Sequence, residues 1–111
     1  MTESPAVSVR PVKYEVSALP EGSPSARYFT IDVEYQGQGL WAVARFDSCL
    51  GSDGTWAEGV KPYDRGQKWL DEHRYDLDTA LKLARDTAPH LVVEGRTVAD
   101  VLVTEEAEGG A

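Results

Sequence analysis

Cys49, His73 and His90 carry the most distinctive chemistry among the 111 residues of this chain. A thiol becomes a nucleophile when its pKa is lowered and a histidine stands within hydrogen-bond reach. Cys49 sits in a strand-like Ser-Cys-Leu context, where a lone cysteine reads as a small buried hydrophobe. Asp71-Glu72-His73 beside Trp69 is the most site-like titratable cluster. Nineteen acidic residues make some carboxylate neighbours inevitable, so the cluster reads as a solvated helix face with Trp69 beneath it. No catalytic residue is assigned, and the expectation is a protein that is not an enzyme.

Metal and cofactor motifs are missing from the sequence. It has no Cys-x-x-Cys, His-x-x-x-His or His-Glu-x-x-His spacing. Asp47 and Asp53-Gly54 lack the alternating oxygen ligands of a calcium loop. There is no Gly-x-Gly-x-x-Gly and no Gly-Lys-Ser/Thr, so Gly37, Gly39, Gly51 and Gly54 read as turn residues. The expectation is no metal and no cofactor.

All three tryptophans, Trp41, Trp56 and Trp69, fall within residues 41–69. Each either fills a core or anchors an interface, since tryptophan, tyrosine and arginine are enriched at binding hot spots. Trp41 reads as core, Trp56 as an edge residue, and Trp69 is open between packing and display. The candidate interaction residues are Trp56, Tyr63, Arg65, Trp69, His73 and Arg74.

The elements that position them follow from periodicity. Val12, Tyr14, Val16 and Ala18 alternate with polar residues, which predicts a half-buried strand. Phe29, Ile31, Val33 and Tyr35 alternate with Tyr28, Thr30, Asp32 and Glu34, which predicts a second strand with one wet face. Gln36-Gly37-Gln38-Gly39 supplies a hairpin. Residues 40–46 are apolar on both faces, as in an interior strand, and residues 47–50 read as its extension. Asp53-Gly54 predicts another hairpin, with residues 55–58 as a short strand.

Pro62 and Gly66 break residues 59–75, and residues 67–73 predict one or two helical turns. Leu77, Ala80, Leu81, Ala84 and Ala88 form one helical stripe, which predicts an amphipathic helix over residues 76–88. Asp76 or Asp78 would cap it, Asp78 would pair with Lys82, and Pro89 would stop it. Residues 90–94 read as a short strand. Thr97 and Asp100 resemble a capping box for a terminal helix with Val98, Val101 and Leu102 inward. The rival is a Glu94-Gly95 hairpin with residues 97–103 as a strand.

The predicted fold is therefore α+β: an antiparallel sheet of three or four strands, one main helix on one face, and a short C-terminal strand and helix. One domain over residues 12–103 is expected, between a disordered tail at 1–11 and a flexible acidic tail at 104–111.

Charge and hydropathy narrow the partners. Nineteen acidic and 11 basic residues give a formal net charge of −8. A nucleic-acid backbone would be repelled by such a surface. No apolar run approaches the roughly 20 residues that span a bilayer. The N-terminus has no signal-peptide pattern, and a lone cysteine excludes an internal disulfide, which together point to the cytoplasm.

The run Trp-Ala-Val-Ala-Arg, then Cys-Leu-x-x-x-Gly-x-Trp, then Arg-Gly-Gln-Lys-Trp-Leu-x-x-His-Arg-Tyr-Asp-Leu resembles small uncharacterised proteins of actinobacteria and their phages. The likeness covers residues 41–96 and implies a lineage with no assigned activity. Strands followed by Leu-Asp-Thr-Ala-Leu-Lys-Leu-Ala also resemble, more loosely, the partial ribonuclease-like fold of small antitoxins. The expectation is a non-enzymatic acidic domain that binds another protein, a basic one by charge, as an inhibitor, neutraliser or adaptor in phage–host interaction. The alternatives are a small ligand binder or enzyme using the His73 region, and a homo-oligomeric structural protein. Monomer and homodimer both stay open.

Overall fold

The computed structural model of the protein describes residues 5–58 and 65–109. β1 (Lys13–Ser17) and β2 (Thr30–Gly37) pair antiparallel, with Tyr14 opposite Val33 and Val16 opposite Ile31. Tyr28 departs from the expected second strand. It lies in a 3-10 turn, Ala26–Phe29, where Thr30 Oγ1 donates to the Ala26 carbonyl at 2.6 Å and Phe29 is buried. Polar Thr30, Asp32 and Glu34 do share one face of β2, opposite buried Ile31 and Val33.

The hairpin to β3 (Leu40–Arg45) uses three successive left-handed residues, Gly37, Gln38 and Gly39, with φ of 95°, 55° and 75°. The last two make a tight turn and Gly37 a bulge, which is why two glycines flank Gln38. Residues 47–50 do not prolong β3. Arg45 pairs with Ser48, and the chain reverses at Phe46 and Asp47 into β4 (Ser48–Leu50). Phe46 adopts φ 52° to close that turn. No glycine marks the position, so composition hid the reversal. β5 (Trp56–Glu58) follows, giving a five-stranded meander in the order β1-β2-β3-β4-β5 rather than three or four strands.

α1 (Gln67–His73) and α2 (Leu77–Thr87) are separated by Tyr75, which bridges Trp41 in antiparallel fashion through bonds of 2.7 and 2.9 Å. Tyr75 thereby occupies the edge of β3 next to β4. α2 starts where Asp76 accepts from the Thr79 N–H and lies over β1, β2 and β3. Its ion pair is Lys82 with Asp86, at 2.8 Å, rather than with Asp78. Pro89 does not end the coil abruptly. It enters a 3-10 turn, Ala88–His90, near the start, where a missing N–H is tolerated.

The C-terminal segment takes the expected helix after Thr97, so residues 98–103 are not the strand of the rival reading, although the Glu94-Gly95 hairpin of that reading forms. Glu94 and Gly95, with φ of 52° and 78°, close a hairpin of β6 (Val92–Val93) and β7 (Arg96–Thr97). Thr97 then caps α3 (Val98–Gly109) in a reciprocal box: Thr97 N–H donates to Asp100 Oδ2 at 2.9 Å, and Asp100 N–H donates to Thr97 Oγ1 at 3.1 Å. Val98 and Val101 reach the core, whereas Leu102 stays exposed. α3 continues through residues 104–109, where a loose acidic end was expected. Glu105 accepts from the Ser23 hydroxyl at 2.6 and 2.8 Å and from the Ser25 N–H at 3.2 Å, which fixes the helix to the β1–β2 loop.

The core lies on one side of the sheet. Ile31, Val33, Trp41, Val43 and Leu50 pack against Ala80 and Ala84 of α2 and Val98 and Val101 of α3. The alanines let α2 approach the sheet closely. No described helix is long and apolar enough to cross a membrane.

Candidate functional site: the open sheet face and its arginine border

Pairing registers place the remaining strand residues on the opposite face. One row across the sheet reads Glu15, Asp32, Ala44, Cys49 and Ala57, and the next reads Lys13, Glu34 and Ala42. The face therefore changes character from β1 to β5, from charged to small. Lys13 reaches Asp32 at 3.8 Å. Burial nonetheless pushes the Asp32 carboxyl above its ordinary value, against the pull of Lys13.

Ala42 and Ala44 are buried although no helix residue of the core lies on their side. Arg65 and Arg74 account for this: both line a recess of about 190 Å³ whose floor is Ala42, Ala44 and Cys49 and whose other walls include Glu34 and Asp47. The Arg74 guanidinium lies beside the Cys49 thiol and donates to the His73 carbonyl at 3.0 Å. Burial draws its pKa below the ordinary arginine value, and Arg65 nearby adds to the effect.

Trp69 organises both arginines. The Arg65 and Arg74 guanidinium carbons lie 4.7 and 5.2 Å from the indole ring centre, within cation–π range. His73 stacks on the same indole at 4.1 Å, with ring planes 9° apart. Trp69 is thus half-buried in a cluster of its own, apart from the main core. Its indole nitrogen is buried and has no hydrogen-bond acceptor among the described residues.

His73 itself is buried. Its Nδ1 lies 2.6 Å from the Trp69 carbonyl, an acceptor, so Nδ1 carries the proton of that bond. Nε2 faces the β4–β5 turn, close to Gly51 and Asp53. Asp53 accepts from the Thr55 hydroxyl at 2.7 Å and the Thr55 N–H at 3.0 Å, and these bonds hold its carboxyl below the ordinary range. His73, Asp53, Thr55 and Trp69 border a groove of about 450 Å³. Among the described residues, neither His73 nor His90 hydrogen-bonds Cys49; the group beside the buried thiol is the Arg74 guanidinium. Among the described residues no three ligating side chains gather to hold a metal.

The structure brings Arg65, Trp69, His73 and Arg74 together. Trp56 lies on the edge strand, half-buried against the core. Tyr63 falls outside the described residues. Sequence reasoning missed Phe46, read as the last residue of the interior strand over 40–46. It is 76% exposed on the β3–β4 turn and lines the recess on each side of it. It also missed Tyr75, whose hydroxyl donates to the carbonyls of Leu50 at 2.9 Å and Glu72 at 3.2 Å. No local pattern signals either residue, because each acts through a contact that only the folded chain makes.

Comparison with protein families, with curated proteins and with solved structures gives no match for this chain.

Proposed function

We propose that the protein is a non-enzymatic binding domain that docks another protein on its open sheet face, as an inhibitor, neutraliser or adaptor acting inside the cell in phage–host interaction. The observation that carries this reading is Phe46. A large aromatic is 76% exposed on a two-residue turn, in a left-handed conformation that asparagine or glycine would adopt more easily. Such a residue costs stability in the free chain and meets only the Arg45 guanidinium, 5.8 Å from its ring centre, among the ring contacts of the described residues, as expected of an interface anchor. Around it stand Glu15, Asp32, Glu34 and Asp47, interleaved with Lys13, Arg27, Arg65 and Arg74. The net charge of −8 of the whole chain, rather than the balance of this patch, favours a basic partner.

The experiment is affinity capture from host lysate with the wild-type chain and with Phe46→Gly, at low and moderate salt, read by mass spectrometry. The expected outcome is a basic protein retained by wild type, lost by Phe46→Gly, and weakened as salt screens the contact. Equal capture by both chains would remove Phe46 from the interface and the reading with it.

A further inference from the structure

β1 is an open edge of the sheet, and its backbone groups divide by parity. The Tyr35 N–H donates to the Val12 carbonyl at 2.8 Å, and the register that sets Lys13 against Glu34 puts these two residues directly opposite. Bonded pairs alternate along an antiparallel ladder, so Tyr14 and Val16 also turn their backbone groups toward β2. Lys13, Glu15 and Ser17 therefore turn theirs outward. Among the described residues no hydrogen bond reaches those outward groups, and the 3-10 turn Ala88–His90 near β1 supplies none. Residues 13–17 also lack the usual shields of an edge, since they hold no proline and pair with β2 without a bulge. What stands on the edge is a charged pair, Lys13 and Glu15. Glu15 lies directly opposite Asp32, a like charge, and has no ion pair among the described residues. Arg27 lines the same recess, but its guanidinium engages the Tyr28 hydroxyl and ring. Like charges directly opposite destabilise a sheet, so a cation on the outer side of Glu15 would be stabilising.

We infer that β1 pairs with β1 of a second copy of this chain, antiparallel about a two-fold axis at Tyr14, with Lys13 of each copy opposite Glu15 of the other. Only residues with outward groups can form the bonded pairs, which restricts the axis to whole residues of the strand. Moving it one residue either way sets Lys13 against Lys13 or Glu15 against Glu15. The register about Tyr14 sets unlike charges opposite, and symmetry makes the contact twice. Lys13 then stands between Glu34 of its own chain and the partner's Glu15, and the Glu15–Asp32 pair gains a cation on its open side. The apolar side continues as well. Tyr14 and Val16 pack on the core, and Val12, 56% exposed, falls opposite the partner's Val16. Pro11 falls opposite the partner's Ser17 and, lacking an N–H, ends the ladder. The product is a homodimer with one continuous sheet and a doubled open face. It stands independently of the docking reading, because Phe46 takes no part in it.

The test is sedimentation equilibrium of the full chain over a concentration series, with folding of each variant checked by thermal melting. Wild type should pass from one chain to two as concentration rises. Lys13→Glu and Glu15→Lys each set like charges opposite, and each alone should weaken the dimer by about tenfold or more. Mixed in equal amounts, the two variants should associate with each other about as tightly as wild type, because every facing pair is again of opposite sign. Phe46→Gly should leave the dimer unchanged. Amide exchange of wild type by NMR needs no variant: the Lys13 and Glu15 N–H groups should slow by about tenfold or more as the dimer fills, while those of Tyr14 and Val16, already bonded to β2, change little. A wild-type mass that stays at one chain up to millimolar concentration would overturn the inference. So would a dimer indifferent to both charge changes, a mixture of folded variants that fails to associate, or exchange at Lys13 and Glu15 that ignores concentration.

Discussion

Trp69 and His73 sit one helical turn apart and stack face to face, with ring centres 4.1 Å apart and planes 9° from parallel. The stack is locked from two directions. His73 Nδ1 is tied to the Trp69 carbonyl, and Nε2 is held against the β4–β5 turn. Ser52 N–H donates to the Glu72 carbonyl at 2.8 Å, so the turn and the end of α1 move as one. A seven-residue helix is marginal alone, and these contacts are what sustain it.

Gly51 should therefore be intolerant of a side chain. A β-carbon there would lie 3.1 Å from His73 Nε2 and 3.0 Å from Asp53 Oδ1. Asp53 is exposed and can swing away, but His73 is fixed by its stack. Gly51→Ala is expected to lose about 1–3 kcal/mol of stability in denaturant unfolding. With His73→Ala already present, most of that further loss should vanish, since the clash has gone. A double-mutant cycle reads the coupling directly, and additive losses would show that Gly51 and His73 do not meet.

Tyr75 is the second fastener. Its hydroxyl donates to the Leu50 carbonyl at 2.9 Å inside the fold, while its backbone completes the pairing with Trp41. Burial pushes the phenol pKa above its ordinary value, so the hydroxyl remains a donor. Tyr75→Phe keeps the ring and removes the donor, and is expected to cost about 1–3 kcal/mol by leaving a buried carbonyl with less compensation. Urea unfolding at neutral pH measures it, and an unchanged midpoint would mean that the bond adds nothing.

Much of the frame was legible because burial on one side of a strand or helix imprints a period. Ile31 and Val33 in β2, and Ala80 and Ala84 in α2, could be placed from spacing alone, as could the Thr97 cap. The reversal at Phe46 was not legible, because turn chemistry normally announces itself with glycine or asparagine and here a phenylalanine takes that role. Of the candidate site, Arg65, Trp69, His73 and Arg74 were legible as neighbours in one segment. That Glu34 and Asp47 line the same recess was not legible, since strand register across β2, β3 and the β3–β4 turn brings them there.

Phe46 allows a stability test separate from capture. At φ 52° a phenylalanine is strained, and asparagine enters that region more readily. Phe46→Asn is expected to leave the fold intact and to raise stability by up to ~1 kcal/mol, while removing an exposed aromatic. Thermal and urea melts decide it. A large loss would show that Phe46 is held by packing, and its role as a display residue would fall.

The pH dependence should divide the carboxylates into two groups. Hydrogen bonds from Thr97 to Asp100, from Thr79 to Asp76, and from Ser23 to Glu105 each hold the folded carboxyl below its ordinary value. Such groups contribute stability that is present above the unfolded pKa, 3.8 for Asp and 4.5 for Glu, and is lost as pH falls through the folded value. Asp32 runs the other way. Burial raises its folded pKa above 3.8, so its charge opposes folding above that raised value, and the penalty lifts as pH falls through it. Asp32→Asn is thus expected to melt higher than wild type at neutral pH and to converge with it in acid. Asp100→Asn should melt lower at neutral pH and also converge in acid. Melting curves of the three chains across that range test both signs, and an Asp32→Asn chain that melts lower at neutral pH would show that the Lys13 contact outweighs burial.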